Sequence, residues 1–418
     1  MRATLGVMAL LVLAGCTERD PTYCDESIPC EGPGLICDLE KKECVPAPDA
    51  TSDLSLISDT TNDLPGGHDI AADLPQFDSA GDIAPVDLTP REGCVNTCPK
   101  TGARQCVGNG FQLCGNHNAD PCLEWGPTTA CTANQFCLEG TCLSWKTVSS
   151  GITTELRDVW GAAANDIWAV GTCSGILRYN GQKWAPDTRY DPTCGRLSQT
   201  FTSIWGSSFK DVWLTYESGA LLQPILQKSY PGTTLDLFAI WGSATTNAWA
   251  AGKTFLFWSG ASWTEFKPAG LTHPIRGIWV ASPNTAWAVG DYGTMWKLAA
   301  ATTWQPQTVS TTEHLGDIHG TTASNIWAVG GFGTTLRYNG TKWSDVLTPT
   351  TKGLNGVWTA STTTAWAVGD SGTIVRYDGA KWVAVMSPTQ KKLNAVWGSS
   401  PTDVWAVGEA GTILHTEP

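Results

Sequence analysis

Three observations predict an all-β chain that closes as a seven-bladed β-propeller. One phrase recurs seven times between Trp160 and the C-terminus, most legibly as Leu393-Asn-Ala-Val-Trp397-Gly, Asp403-Val-Trp405-Ala-Val-Gly408, Gly411-Thr-Ile-Leu414. Its second tryptophan falls at Trp168, Trp213, Trp249, Trp287, Trp327, Trp366 and Trp405, at spacings of 45, 36, 38, 40, 39 and 39 residues. A period of about 40 residues holding several short strands is the signature of one four-stranded blade per repeat. The seventh repeat ends early, and a segment of the missing pattern stands ahead of the first repeat.

The sixth repeat displays the four strands. Leu354-Asn-Gly-Val-Trp358 is an apolar strand and Thr364-Ala-Trp366-Ala-Val-Gly369 a second. The turn Asp370-Ser-Gly372 leads into Thr373-Ile-Val-Arg-Tyr377, and Asp378-Gly379 precedes Lys381-Trp382-Val-Ala-Val385. Asp-Gly marks a hairpin turn with positive-φ residues; the same hairpin is written Asn180-Gly181, Ser259-Gly260 and Asn339-Gly340 in other repeats. Short segments rich in β-branched and aromatic residues suit half-buried pleated surfaces. The last repeat stops at Pro418 after three strands, whereas Ser144-Trp145-Lys-Thr-Val148 carries the fourth-strand pattern of Lys342-Trp343-Ser-Asp-Val346. Residues 144–148 are therefore expected to complete the last blade of a propeller over 144–418, removing an exposed edge.

Four segments are predicted ahead of it. Residues 1–15 form a short apolar run behind Arg2, too short to span a bilayer and typical of a secretory signal. Leu13-Ala14-Gly15-Cys16 resembles the bacterial lipobox. That resemblance implies cleavage before Cys16, lipidation of Cys16 and anchoring in the outer membrane or cell surface; Thr17 rather than Asp follows. Cysteine usage agrees with export. Of 15 cysteines, setting Cys16 aside leaves four between Cys24 and Cys44, eight between Cys94 and Cys142, and the pair Cys173 and Cys194. Even groups without Cys-x-x-Cys spacing favour disulfides over zinc. Residues 16–45, with Cys24, Cys30, Cys37 and Cys44, resemble the Dickkopf-like cysteine-rich modules. Residues 93–143 form an eight-cysteine module whose pairing the sequence leaves open.

Charge is segregated between these parts. Residues 46–92 are an Asp-rich linker, with nine Asp and no Lys or Arg between 46 and 90. Mutual repulsion, recurring proline and a single aromatic, Phe77, exclude a packed core there. As a flexible spacer the linker has an r.m.s. reach of about 40 Å. Residues 91–418 balance at 22 acids and 22 bases. A neutral body without a basic stripe excludes nucleic acid as the partner.

The phrase Trp-Ala-Val-Gly-x-x-Gly-Thr-Ile followed by Gly-x-x-Trp resembles repeats of the photosystem II assembly-factor type. It is also similar to a degenerate Asp-box of bacterial-neuraminidase repeats. Both resemblances cover residues 144–418 and imply the propeller fold. The chain departs from the Asp-box pattern Ser-x-Asp-x-Gly-x-Thr-Trp in lacking most of the first Ser and the Thr.

Residues that recur at one place in every blade are packing groups rather than a site, so the repeated tryptophans are expected between blades. Asp166, Asp211, Asn247, Asn325 and Asp403 precede the second strands and are expected to close Asx turns. Gly369-Asp370-Ser371-Gly372 copies a trypsin-like nucleophile motif, but its mates Gly290-Asp-Tyr-Gly293 and Gly408-Glu-Ala-Gly411 mark it as an ordinary turn. A sialidase-like hydrolase needs an arginine cluster and paired carboxylates. Arg178, Arg337 and Arg376 are spread over third strands; Arg157, Asp158, Arg276 and Asp317 lie on first strands near the axis. His319 replaces the first-strand tryptophan in the fifth blade alone.

Positions that differ among blades are the better candidates. Tyr216, Tyr292 and Phe332, in the turns after second strands, form a candidate ligand-binding rim together with the four axial residues. A Cys173–Cys194 disulfide is expected to pin the long connection 185–196 on that face. The chain is thus read as a lipid-anchored, non-enzymatic monomer without metal or cofactor, whose propeller binds a protein or polysaccharide. A glycan hydrolase and an envelope assembly scaffold are the alternatives.

Overall fold

In a computed structural model, the described residues are 35–38 and 43–46, then 96–118, 122–173, 175–190, 199–226, 228–230, 233–300 and 302–418. The chain divides into two compact units, Met1–Asp87 and Leu88–Pro418. In the first, strands Leu35–Asp38 and Glu43–Pro46 form an antiparallel hairpin with Cys37 opposite Cys44. Cys16, Cys94, Cys194 and residues 47–92 lie outside the described residues.

In the second unit, six four-stranded antiparallel sheets are followed by a five-stranded one. Each repeats one plan, seen in the third sheet as inner strand Leu237–Ala244, then Asn247–Gly252, Phe255–Trp258 and outer strand Trp263–Phe266. Each inner strand lies beside the next, and the inner strand of the seventh sheet, Leu393–Ser400, lies beside that of the first, Leu156–Ala163. The arrangement is a β-propeller, and the sheets are called blades 1 to 7 in chain order.

The second-strand tryptophans are the largest fully buried side chains, and their surroundings explain the repeat. The outer-strand tryptophan of the following blade meets all but Trp168 edge-on, as in Trp263 against Trp213 at 5.1 Å and 85°, Trp304 against Trp249 at 5.2 Å and 90°, and Trp343 against Trp287 at 5.2 Å and 84°. Edge-to-face pairing adds about 0.5–1.5 kcal/mol beyond area burial. In three blades a third-strand base lies over the ring. Arg178 lies 4.3 Å from the ring of Trp168, Lys297 5.2 Å from Trp287 and Arg337 5.2 Å from Trp327. The Asx turns expected at the second-strand starts give way to cross-strand pairs. Asp166 accepts from Arg178 at 3.0 Å, Asp211 from Gln223 at 3.2 Å and Asn325 from Arg337 at 3.3 Å. Trp168 stands opposite Arg178; Asp166, two residues before Trp168, shares its face and so reaches the same base.

Nearer the axis, every first-strand tryptophan except Trp241 lies over a glycine of the next blade. A Cβ on Gly206 would come within 2.7 Å of Trp160, on Gly242 within 2.5 Å of Trp205, and on Gly161 within 2.5 Å of Trp397. The Trp-Gly pair of the repeat is therefore a stacking device that crosses five of the seven joints. Gly242→Ala is expected to lower stability by about 1–3 kcal/mol, because the new methyl would also meet Asn247 O at 2.6 Å. Urea unfolding followed by tryptophan fluorescence checks this; an unchanged midpoint would show that the joint can slide.

Blade 7 is finished from the N-terminal side. Strand Ile413–Glu417 pairs antiparallel with Thr141–Val148, Ile413 opposite Val148 and Glu417 opposite Ser144. Phe136–Leu138 adds a fifth strand beyond it, with Cys137 opposite Cys142. Disulfides Cys98–Cys114, Cys106–Cys137 and Cys131–Cys142 tie this hairpin into the cysteine-rich segment. The boundary drawn at 143/144 thus falls inside one continuous strand. Phe136, Leu138 and Leu143 pack in the same core cluster as Trp145 and Trp366.

The channel mouth and its aromatic sector

Each inner strand offers three side chains to the axis, at the second, third and fifth positions of its Leu-x-x-Val-Trp pattern. The third and fifth positions line a chamber of about 130 Å³ whose walls include Asp158, Ser203, Asp317, His319, Trp241 and Trp358. Asp158 takes Ile204 N–H at 2.8 Å and Ser203 Oγ–H at 2.7 Å, and Asp317 takes Val357 N–H at 2.9 Å. Each carboxylate therefore straps its blade to the next. Burial pushes Asp158 up to about 6, and burial together with the charge of Asp158 pushes Asp317 up to about 7.

His319 takes a tryptophan's place in the ring, and the joint around it is altered. Thr359 N–H donates to its Nδ1 at 3.0 Å, so the ring proton resides on Nε2. Burial holds this imidazole down at about 3. Val280 stands where a glycine would receive Trp241. Trp241 accordingly lies edge-on to His319, two blades away, at 5.1 Å and 84°.

The second position forms the mouth, and here the blades divide. Thr202 Oγ donates to Leu237 O at 2.8 Å, Asn355 Nδ2 to Leu393 O at 2.9 Å and Asn394 Nδ2 to Leu156 O at 2.7 Å, each bridging to the next blade. Arg157 bridges blades 1 and 2 through Glu217 at 3.0 Å. Blades 3, 4 and 5 carry Phe238, Arg276 and Gly316 instead. Arg276 lies 4.4 Å from the Phe238 ring and grips Asp291 with two hydrogen bonds of 2.9 and 2.8 Å. His314 of blade 5 reaches the same carboxylate at 3.1 Å. Burial alone would raise Asp291, but the hydrogen bonds and charges of Arg276 and His314 outweigh it and hold the carboxyl below its ordinary value.

The adjoining turns explain their own glycines. A Cβ at Gly290 would lie 2.1 Å from Pro274 O and one at Gly293 2.1 Å from Thr311 O, so both ends of Gly-x-y-Gly are pressed against backbone. The residue between must then take the left-handed conformation: Tyr292 has φ 58°, Phe332 52°, Ser371 55° and Ala410 52°. Tyr292 is 62% and Phe332 76% exposed. Tyr292 packs against two tilted imidazoles, His273 and His314, each with ring centroids 4.8 Å away.

The residues named from sequence therefore separate. Arg157, Asp158, Arg276 and Asp317 line one chamber and its mouth. Arg157 and Arg276 are committed to carboxylates, Arg157 to Glu155 and Glu217 and Arg276 to Asp291. Tyr216 leaves the rim. It ends the second strand opposite Phe201, packs on that ring at 4.8 Å, and burial pushes its hydroxyl up to about 12. The reason is register, since Tyr216 occupies the strand-end place that glycine holds in other blades. Cys173 sits in the left-handed place of blade 1 and is disulfide-bonded, whereas Cys194 lies outside the described residues. Phe238, His273, His314, Asn355 and Asn394 were not singled out in the sequence; laying the seven second positions side by side would have shown Phe238, Asn355 and Asn394, whereas His273 and His314 precede the inner strands. Among the described residues no three His, Cys, Asp or Glu side chains are grouped to hold a metal ion.

Solved structures share this fold. A YCF48 from Cyanidioschyzon merolae superposes with a TM-score of 0.54 at 16% identity, over 66% of this chain and 99% of that one. YCF48 bound to D1 peptide gives 0.54 at 17%, over 65% and 96%. The WD40 repeats of RRP9 give 0.54 at 10%, over 65% and 96%. No family model and no curated protein matches the chain.

Proposed function

We propose that this is a non-catalytic binding protein, a seven-bladed propeller held at the outer membrane or cell surface by lipid on Cys16. Its ligand docks over blades 3 to 5 at the channel mouth. One observation carries the docking site: the inter-blade straps made by Thr202, Asn355 and Asn394 are absent from those three blades, which present Phe238, Arg276, Tyr292 and Phe332 instead. Fold neighbours support a protein ligand, one of them being described as bound to a peptide. The chamber argues against hydrolysis. Both oxygens of Asp317 accept main-chain N–H groups, from Ile318 and Val357, and both mouth arginines are paired.

Two experiments test the reading. Cys16→Ser is expected to move the protein from the membrane to the soluble fraction, and mass spectrometry of the N-terminal peptide should show acyl chains. A photo-crosslinker placed at 276 or 292 in the native host should give adducts, whereas one at 371 or 410, in the matching turns of blades 6 and 7, should not. Equal labelling from all four positions would remove the docking sector.

A further inference from the structure

The fourth strand of blade 7 is at least twice as long as its counterparts. Thr141–Val148 spans 8 residues, whereas the fourth strands of blades 1 to 6 span 3 or 4. Folded proteins keep edge strands short because an unpaired edge invites another chain. Phe136–Leu138 covers only residues 141–143 of this one. We infer that the uncovered part, residues 144–147, takes up an extended segment of another protein as an added strand, in line with Phe136–Leu138.

Register decides which groups are on offer. Glu139 and Gly140 make a two-residue turn with φ 48° and 73°, so Leu138 and Thr141 are a hydrogen-bonded pair. Antiparallel pairing alternates along the strand. The backbone groups of Thr141 and Leu143 therefore face the fifth strand, those of Ser144 and Lys146 face Ile413–Glu417, and those of Trp145 and Thr147 turn outward. The other edge of the ladder gives the same answer. Gly408 N–H donates to Thr412 O at 3.0 Å, which by the same alternation leaves Ile413, His415 and Glu417 facing Val148, Lys146 and Ser144. The N–H and C=O groups of Trp145 and Thr147 thus have no partner among the described residues. They lie along a groove of about 450 Å³, lined also by residues 132–135 and by residues 386–388 beyond the fourth strand of blade 6.

The side chains along the groove select the occupant. Trp145 faces blade 6, where it meets Trp366, and Met386 in the groove is 61% exposed. Lys146 is exposed on the opposite face. An added strand sets one residue beside Lys146 and turns that residue's two neighbours toward the Met386 side, so the fitting sequence is apolar, acidic, apolar. A second copy of this chain fits poorly. An edge-to-edge dimer that pairs Trp145 with Thr147 brings Lys146 against Lys146, and like charges across a ladder repel.

The test uses the full chain in the envelope of its native host. With benzoylphenylalanine at 386, irradiation should give an adduct to a different protein, and the linked segment should carry an acid between apolar residues. A synthetic peptide of that segment is then added to the purified chain. Amide exchange at Trp145 and Thr147 should slow at least about tenfold, while Lys146, already paired within the blade, stays unchanged. Lys146→Glu should weaken the peptide at least about tenfold, and a peptide with its acid changed to Lys should recover that loss on the variant. No adduct, an adduct only to a second copy, or a bound peptide that leaves both amides exchanging as before would overturn the proposal, as would equal affinity for the parent and Lys146→Glu.

Discussion

A chain that begins at residue 149 is expected to fail as a closed ring. It lacks the strand opposite Ile413–Glu417, so the last blade would end on an open edge. It also lacks two aromatic groups that no other part of the chain supplies. Trp145 meets Trp366 edge-on at 5.4 Å and 87°, and Phe136 meets the same ring at 5.3 Å. In blades 1, 5 and 6 the residue opposite the outer-strand tryptophan is Tyr179, Tyr338 or Tyr377, each packed within 4.7–4.8 Å of a second-strand tryptophan. In blade 7 that residue is Thr416, opposite Trp145, and Phe136 from the cysteine-rich segment provides the second ring. Trp145→Ala and Phe136→Ala should each cost about 3–5 kcal/mol. The sharper variant is Phe136→Ala with Thr416→Tyr, which restores the pattern of the other blades. It should recover about 1 kcal/mol, less than the full loss because Thr416 Oγ also serves Val404 N–H at 2.9 Å. Urea unfolding of the oxidised proteins measures all four, and a 149–418 fragment that unfolds as cooperatively as the whole unit would refute the closure account.

The second large effect is on pH. A carboxyl whose value is raised in the folded protein makes the folded state hold more protons than the unfolded one, so its contribution to stability is lost as pH rises. Asp317 acts this way from about pH 4 to about 7, and Asp158 from about 4 to about 6. His319 opposes them. Held down at about 3 by burial, it favours the folded state increasingly as pH rises from 3 to 6.5. Two carboxyls against one imidazole leave a net loss of roughly 2 kcal/mol between pH 4 and 7. The lowered carboxyls Asp187, Asp291, Asp378 and Asp403 contribute stability that is lost below about pH 4, outside this window. Asp317→Asn gives a signature that packing damage alone does not. The amide can accept only one of the two N–H groups that Asp317 serves, so the variant should be less stable than the parent at pH 4.5. It has no charge to bury, so it should be more stable at pH 8. Thermal unfolding across that range decides it: parallel curves for variant and parent would show that Asp317 carries no buried charge.

The propeller was legible in the sequence because the groups that hold blades together must recur wherever the same joint recurs. Trp168 to Trp405, the Trp-Gly pairs and the Gly-x-y-Gly turns all follow from that rule. The candidate site was legible only in part, since a site is made of the departures from a repeat. Tyr292 and Phe332 stood out as large residues in turns. Tyr216 looked equivalent to them only until the register of blade 2 placed it against Phe201. Phe238 and Gly316 are unremarkable as letters; they acquire meaning from Thr202, Asn355 and Asn394 at the same position of other blades. The link between Trp241 and His319 spans two blades and depends on Val280 excluding the tryptophan from its usual bed, a relation visible only in three dimensions.

The closing strand also sets an order of events in time. Val148 pairs with Ile413, 265 residues later, so the first strand of the ring to be synthesised is the last to be matched. The disulfides beside it close over only 16, 31 and 11 residues, and short loops close before long ones. The cysteine-rich segment can therefore be complete while the blades are still emerging, holding residues 141–148 flat as a template with one row of backbone groups unmatched. Until residue 417 arrives, that row is open to any passing strand. Products that stop before the last repeat are expected to aggregate rather than persist as soluble partial rings.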